Sequence, residues 1–155
     1  MARQSDAAPT PEQLERFNSL LQRIQLADVQ LAAASIEGRR DFVIAHGAVE
    51  GGVEVGLEIS GSGEVVDDGS RIECEMHMKW QAFPPGSDEH LVRVHEVYLV
   101  SYALDGDDAV APETLQAFAD HNAAFNVWPF FRESLHSITL RMGLPGYTLP
   151  LLKPA

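Results

Sequence analysis

From Arg71 to Ala82 the apolar residues Ile72, Cys74, Met76, Met78 and Trp80 occupy every second position, with Glu73, Glu75, His77, Lys79 and Gln81 between them. Successive side chains of a strand point to opposite faces, so this period predicts an antiparallel strand with one face in a core and one in water. Asp67-Asp-Gly69 before it reads as a turn and Pro84-Pro-Gly86 after it as a stop. A second alternation precedes the turn, with Val53, Val55, Leu57, Ile59 and Val65 set against Glu54, Glu58 and Glu64. Gly61 and Gly63 inside it mark a bend or a close backbone approach. His90 to Leu104 reads as a further strand, apolar on both sides at Val97-Tyr-Leu-Val100. That predicts cover on both faces, by a helix on one and another subunit on the other. Ile24 to Glu37 also alternates, but Ile24 and Leu26 share one parity while Val29, Leu31 and Ala33 take the other. A bulge near Ala27-Asp28 accounts for the slip. Gly38 to Gly52 is expected to be a long crossover connection.

Helical signals flank these strands. Thr10-Pro-Glu-Gln13 is a capping box with proline at the first helical position, predicting a short helix with Leu14, Phe17, Leu21 and Ile24 on one side. Pro112-Glu-Thr opens a second helix whose buried side is expected to be Leu115, Phe118, Ala119 and Phe125. Pro129 is expected to open a third, with an apolar stripe at Phe131, Leu135, Ile138 and Met142. Gly143 suits a left-handed cap, and the apolar run from Tyr147 is too broken by proline for a central strand. The expected class is α+β: a four-stranded antiparallel sheet with C-terminal helices packed on one face, plus a short N-terminal helix. Residues 1–9 are expected to be a disordered tail and 10–155 a single domain.

At 155 residues the chain is long enough for a real core. A net charge of −12, from 23 acidic against 11 basic residues, argues against nucleic acid or an anionic membrane as main partner. No run approaches the roughly 18 apolar residues of a membrane span, and no signal peptide is visible, so a cytoplasmic location is expected. Cys74 falls on an apolar strand face, where a buried, inert thiol is expected. Six histidines raise a metal hypothesis, for which His77 and His95, near Glu75 and Glu96, are the best pair. No His-x-x-x-His pair accompanies them, so solvent-facing strand histidines are the better reading. There is no Gly-x-Ser-x-Gly elbow, and Gly61-Ser-Gly63 lies within a strand rather than ahead of a helix. No catalytic, metal or cofactor site is expected.

The order Trp128-Pro-Phe130, Arg132-Glu133, then Arg141, Gly143-Leu-Pro145 and Leu149 resembles the C-terminal signature of SecB, the chaperone that holds exported preproteins unfolded. The resemblance extends over Ile24 to Pro150, since SecB has four antiparallel strands, a long crossover between the first two, and helices after them. It implies an ATP-independent holdase and not an enzyme, binding unfolded client polypeptides in apolar grooves, with a homotetramer built as a dimer of dimers. The groove is expected between Val55, Leu57 and Ile59 on the second strand and Leu144, Tyr147, Leu149 and Leu151 of the tail. Leu144 and Leu149 come from the family motif, whereas the others are chosen as exposed apolar residues. Trp128 is expected to fix the angle between two helices, and Arg132 to satisfy buried carbonyls or a carboxylate.

Two departures bear on partners. The family continues beyond its proline-marked tail into a second long helix, whereas this sequence ends at Ala155. SecB docks the SecA motor through acidic residues on its sheet; Asp28 matches one, but Ala32 stands at another and Arg93 and His95 lie around a third. The alternative reading is therefore a dedicated chaperone or interaction module for one partner, such as an antitoxin, without SecA docking. A small-molecule binder using a curved sheet as a cup is a third reading, set back by the apolar inner faces.

Overall fold

The computed structural model describes residues 8–39 and 53–152. Helix α1 (Pro11–Arg23) is capped as its sequence requires: Thr10 Oγ1 accepts from the Gln13 backbone N–H, and the Gln13 side chain accepts from the Thr10 N–H. Strands β1 (Ile24–Gly38), β2 (Glu54–Val66), β3 (Arg71–Phe83) and β4 (Val92–Leu104) form one antiparallel sheet in the order β1-β4-β3-β2. Consecutive β1 and β2 thus lie at opposite edges, as a crossover requires; residues 40–52, which would carry it, lie outside the described residues. Asp67, Asp68 and Gly69 all take positive φ in the β2–β3 turn, a conformation that Asp and Gly tolerate better than most residues.

The alternation of β3 is realised in full: Ile72, Cys74, Met76, Met78, Trp80 and Ala82 are buried on one face. Their β4 partners on that face, from Tyr102 to Val92, are buried too. In β1 the register slips between Leu26 and Asp28, at the expected bulge, and again between Leu31 and Ala33. The second slip was not legible in the apolar pattern, because Ala32-Ala-Ala34 fits either face. Between them the bulges keep Leu26, Val29, Leu31 and Ile36 on the helix-bearing side.

Two helices pack on that side, α2 (Pro112–Phe118) and α3 (Ala124–Arg141), joined by a π-helical turn at Ala119–Ala123. This corrects two expectations. Pro129 lies inside α3 rather than opening it; the proline forfeits one ladder hydrogen bond, and the buried Val127, Trp128, Phe131 and Leu135 carry the helix through. Phe125 is exposed, not buried. The wide turn advances the helical phase by about one residue, so Ala124 faces the core in its place. On α1 the buried residue is Leu20, while Leu14 is exposed.

The helices cover the sheet unevenly. Helix α2 and the π-helical turn lie against the Gly61 end of β2, the turn also against β3, and α3 lies over β3 and β4. Leu26, Leu31 and Ile36 of β1 and Val55 and Leu57 of β2 are left exposed on the same side. At Gly61 and Gly63 the approach is close: the Gln116 amide donates to the Gly61 carbonyl at 2.9 Å, and a Cβ on Gly63 would sit 3.2 Å from the Cys74 sulfur and 3.5 Å from the Leu115 carbonyl. The opposite sheet face is mostly polar, with Val97 and Leu99 at its middle and Val66 and Phe83 at strand ends, and no helix among the described residues covers it. Of the two covers expected for β4, the helices supply one; the other face is the one expected to meet another subunit.

Candidate client groove

The buried ring of Trp80 joins the two walls of the site. Its cross-strand partner on β2 is Leu57, flanked by the pairs Val55–Ala82 and Ile59–Met78. From the other side Tyr147 lies on Trp80, with ring centroids 5.0 Å apart. An exposed apolar row on an edge strand and an extended apolar segment therefore flank one indole.

The segment from Gly143 to Leu152 has no regular secondary structure, and side chains of α3 hold it down. It leaves the helix through Gly143, with φ of +76°, and bonds from Gly143 N–H to Leu140 O and from Leu144 N–H to Thr139 O. This is the left-handed closure that glycine favours after a helix. Next, Thr139 Oγ1 accepts the Tyr147 N–H at 3.0 Å, and Thr148 Oγ1 lies 3.1 Å from His136 Nδ1. Arg132 Nε donates to the Leu149 carbonyl at 2.6 Å, and Trp128 Nε1 donates to the Pro150 carbonyl at 2.9 Å. Residues 128 and 132 are one helical repeat apart, so both donors project from one face of α3. Arg132 thus satisfies a carbonyl, as expected, and the buried Trp128 also pins the tail, a contact that was not expected.

Of the seven groove residues expected from sequence, Val55, Leu57 and Leu151 are exposed, and Ile59, Leu144 and Tyr147 are half-buried. Leu149 is 2 % exposed and packs in the core. The strap contacts of Trp128, Arg132, His136 and Thr139 were absent from that set. Their helical spacing was visible, but their carbonyl partners lie across a loop that sequence does not place. Among the described residues the buried Trp80 Nε1 has no hydrogen-bond partner, whereas Trp128 Nε1 and Arg132 Nε each have one.

On the polar face Asp28 is exposed, accepts from the Gln30 amide at 2.6 Å and stands opposite Ser101. His77 Nδ1 lies 3.0 Å from His95 Nε2, and His77 Nε2 lies 2.8 Å from Glu75. Burial, then Lys79 and His77, hold the His95 pKa below the usual imidazole range, partly opposed by Glu58. Glu96 does not join this cluster as expected: it points to the other face, is fully buried, and accepts from the Tyr98 and Ser134 hydroxyls at 2.5 Å each. Among the described residues no group of three or more His, Cys, Asp or Glu side chains is arranged to hold a metal ion. Cys74 is fully buried, and burial pushes its thiol pKa up to about 12. At that value the nucleophilic thiolate is scarce at neutral pH.

No family model matches this sequence, and no curated protein matches it. Solved structures do. The Mycobacterium tuberculosis Rv1957 SecB-like chaperone, in complex with a ChAD peptide from the Rv1956 HigA1 antitoxin, superposes with a TM-score of 0.75 at 20% identity, covering 92% of this chain and 99% of that one. A protein of unknown function from Streptococcus agalactiae superposes with a TM-score of 0.50 at 11% identity, covering 82% of this chain and 96% of that one. Sheet, flanking helices and element order together make this a SecB-like fold.

Proposed function

We propose that this protein is a holdase chaperone that binds extended apolar segments of unfolded polypeptides, without nucleotide, in the groove between β2 and the C-terminal segment. The observation that carries the reading is the row Val55 and Leu57, 44% and 43% exposed, beside Trp80 on an edge strand. Among the described residues β2 has a strand neighbour on one side, so its other edge offers backbone donors and acceptors that an extended client can pair with. Apolar burial adds affinity at roughly 25 cal/mol per Å² and sets no sequence requirement. The apolar residues left open on β1 favour a homotetramer built as a dimer of dimers. Unfolded clients are the partners proposed; no nucleic acid, membrane insertion or cofactor enters the reading.

The test is light scattering of several unrelated denatured proteins diluted into buffer with and without this protein, nucleotide being absent throughout. Suppression of aggregation for most of them is expected. Protection of none overturns the holdase.

A second reading is favoured by one observation: the structure matching at 0.75 holds an antitoxin peptide. In that reading this protein serves a single antitoxin-like client. Protection of one such client, and of no unrelated protein, would select it. SecA docking is not part of either reading, because Asp28 is the one family acid matched on the polar face.

A further inference from the structure

We infer that the C-terminal segment 144–152, which closes the groove beside β2 in the free protein, is a tethered competitor. An arriving client takes over its backbone bonds to α3 and displaces it, so that the groove widens to include the segment's own seat. The inference rests on the groove proposed above. The segment Leu144-Pro-Gly-Tyr-Thr-Leu-Pro-Leu-Leu152 has a client's chemistry: extended, apolar, with one aromatic ring and no charge. Two of the bonds that hold it, from Arg132 to Leu149 O and from Trp128 to Pro150 O, read backbone carbonyls that every polypeptide carries. Donors that read only carbonyls accept any sequence, proline included, and hold a foreign chain as readily as their own.

The fit is also incomplete. Tyr147 covers the Trp80 ring but gives its N–H no acceptor, so a buried donor stays unpaired under the segment. A buried unpaired donor is a standing cost, which a chain supplying a carbonyl at that point would relieve. The anchoring is uneven along the segment: Leu149 is buried and Leu152 half-buried, while Leu151 between them is 72% exposed. A client entering along β2 meets the segment at Tyr147, over Trp80, and can displace it bond by bond from there. Occupation by the tether lowers apparent client affinity by the fraction of molecules in which the groove is free, so loosening the tether tightens client binding.

Two measurements decide it. The first is binding of a fluorescein-labelled peptide with the sequence of residues 144–152, and of a reduced, alkylated small protein, to wild type, Tyr147→Ala and Thr139→Val. Both variants weaken the tether and spare Trp128 and Arg132, so affinity for both probes should rise about tenfold. The second is amide hydrogen exchange of the wild type with and without the alkylated protein at saturation. Exchange at residues 144–152 should accelerate when client binds, which needs no variant to fold. Weaker binding by the variants with slower exchange in the complex would make the segment a fixed wall of the groove, overturning the inference and leaving the holdase intact. Unchanged affinity and exchange would do the same. Binding of neither probe by any form would overturn both.

Discussion

At the scale of single residues, the buried carboxyl of Glu96 shows how a polar group is tolerated between sheet and helix. It receives one hydroxyl from its own strand, Tyr98, and one from α3, Ser134, and so ties β4 to the helix. Burial, with Glu96 as hydrogen-bond partner and neighbouring charge, raises the Tyr98 pKa well above the usual phenol range, so its hydroxyl stays a donor at any working pH. Tyr98→Phe removes one donor and leaves the carboxyl half-satisfied, so it should lower unfolding free energy by about 2 kcal/mol in urea denaturation. A second residue-scale prediction follows from His95. Its pKa is lowered in the fold, so the unfolded chain takes up the proton first as pH falls. The stability contributed by the neutral imidazole is whole above its unfolded value, near 6.5, and is lost as pH drops from there toward the folded value. His95→Gln should flatten the melting temperature of the protein between pH 7.5 and 5. A slope identical to wild type would assign the pH dependence to other groups.

At the scale of elements, the sequence was most legible where one physical demand acted alone. β3 has a core on one side and water on the other along its whole length, so every second residue declared its face. β1 is exposed along almost all of it, and its second bulge lies among alanines that carry no facial preference. The helices were misread at their boundary because Pro129 is a frequent helix opener, while the cost of keeping it inside a helix is met by packing around Trp128 and Phe131, invisible locally. The groove was half legible: the apolar row of β2 follows from alternation, but the bonds that hold the C-terminal segment join residues 17 and 22 positions apart. The glycines of β2 were read as a bend or a close backbone approach; the structure shows the close approach, and it can be tested. A Cβ on Gly61 would stand 2.3 Å from the sulfur of buried Met76 and 2.9 Å from the Glu75 carbonyl. The methionine can shift within limits but the backbone cannot. Gly61→Ala should therefore destabilise the protein by about 1–3 kcal/mol by overcrowding, although alanine suits a strand better than glycine. A gain in melting temperature would show that Met76 and the β3 backbone yield more easily at Gly61 than this geometry requires.

At the scale of the whole molecule, the uneven cover of the sheet divides its apolar surface into two parts with different expected fates. On the β2 side Val55 and Leu57 border the C-terminal segment and are assigned to clients. On the β1 side Leu26, Leu31 and Ile36 are 46%, 53% and 49% exposed, at the opposite edge of the sheet and far in strand order from the groove. Residues of this size on an unpaired edge strand invite pairing with another sheet. The proposed tetramer assigns them to contacts between subunits. The assignment predicts that the two sides separate by mutation. Leu31→Glu places a charge on β1 and should shift the mass measured by light scattering toward monomer, with the far-ultraviolet circular dichroism of the fold retained. Leu57→Glu should leave that mass unchanged and weaken retention of unfolded clients. If Leu31→Glu kept the oligomer while abolishing client retention, the β1 surface would be the client site and β2 would be left without one.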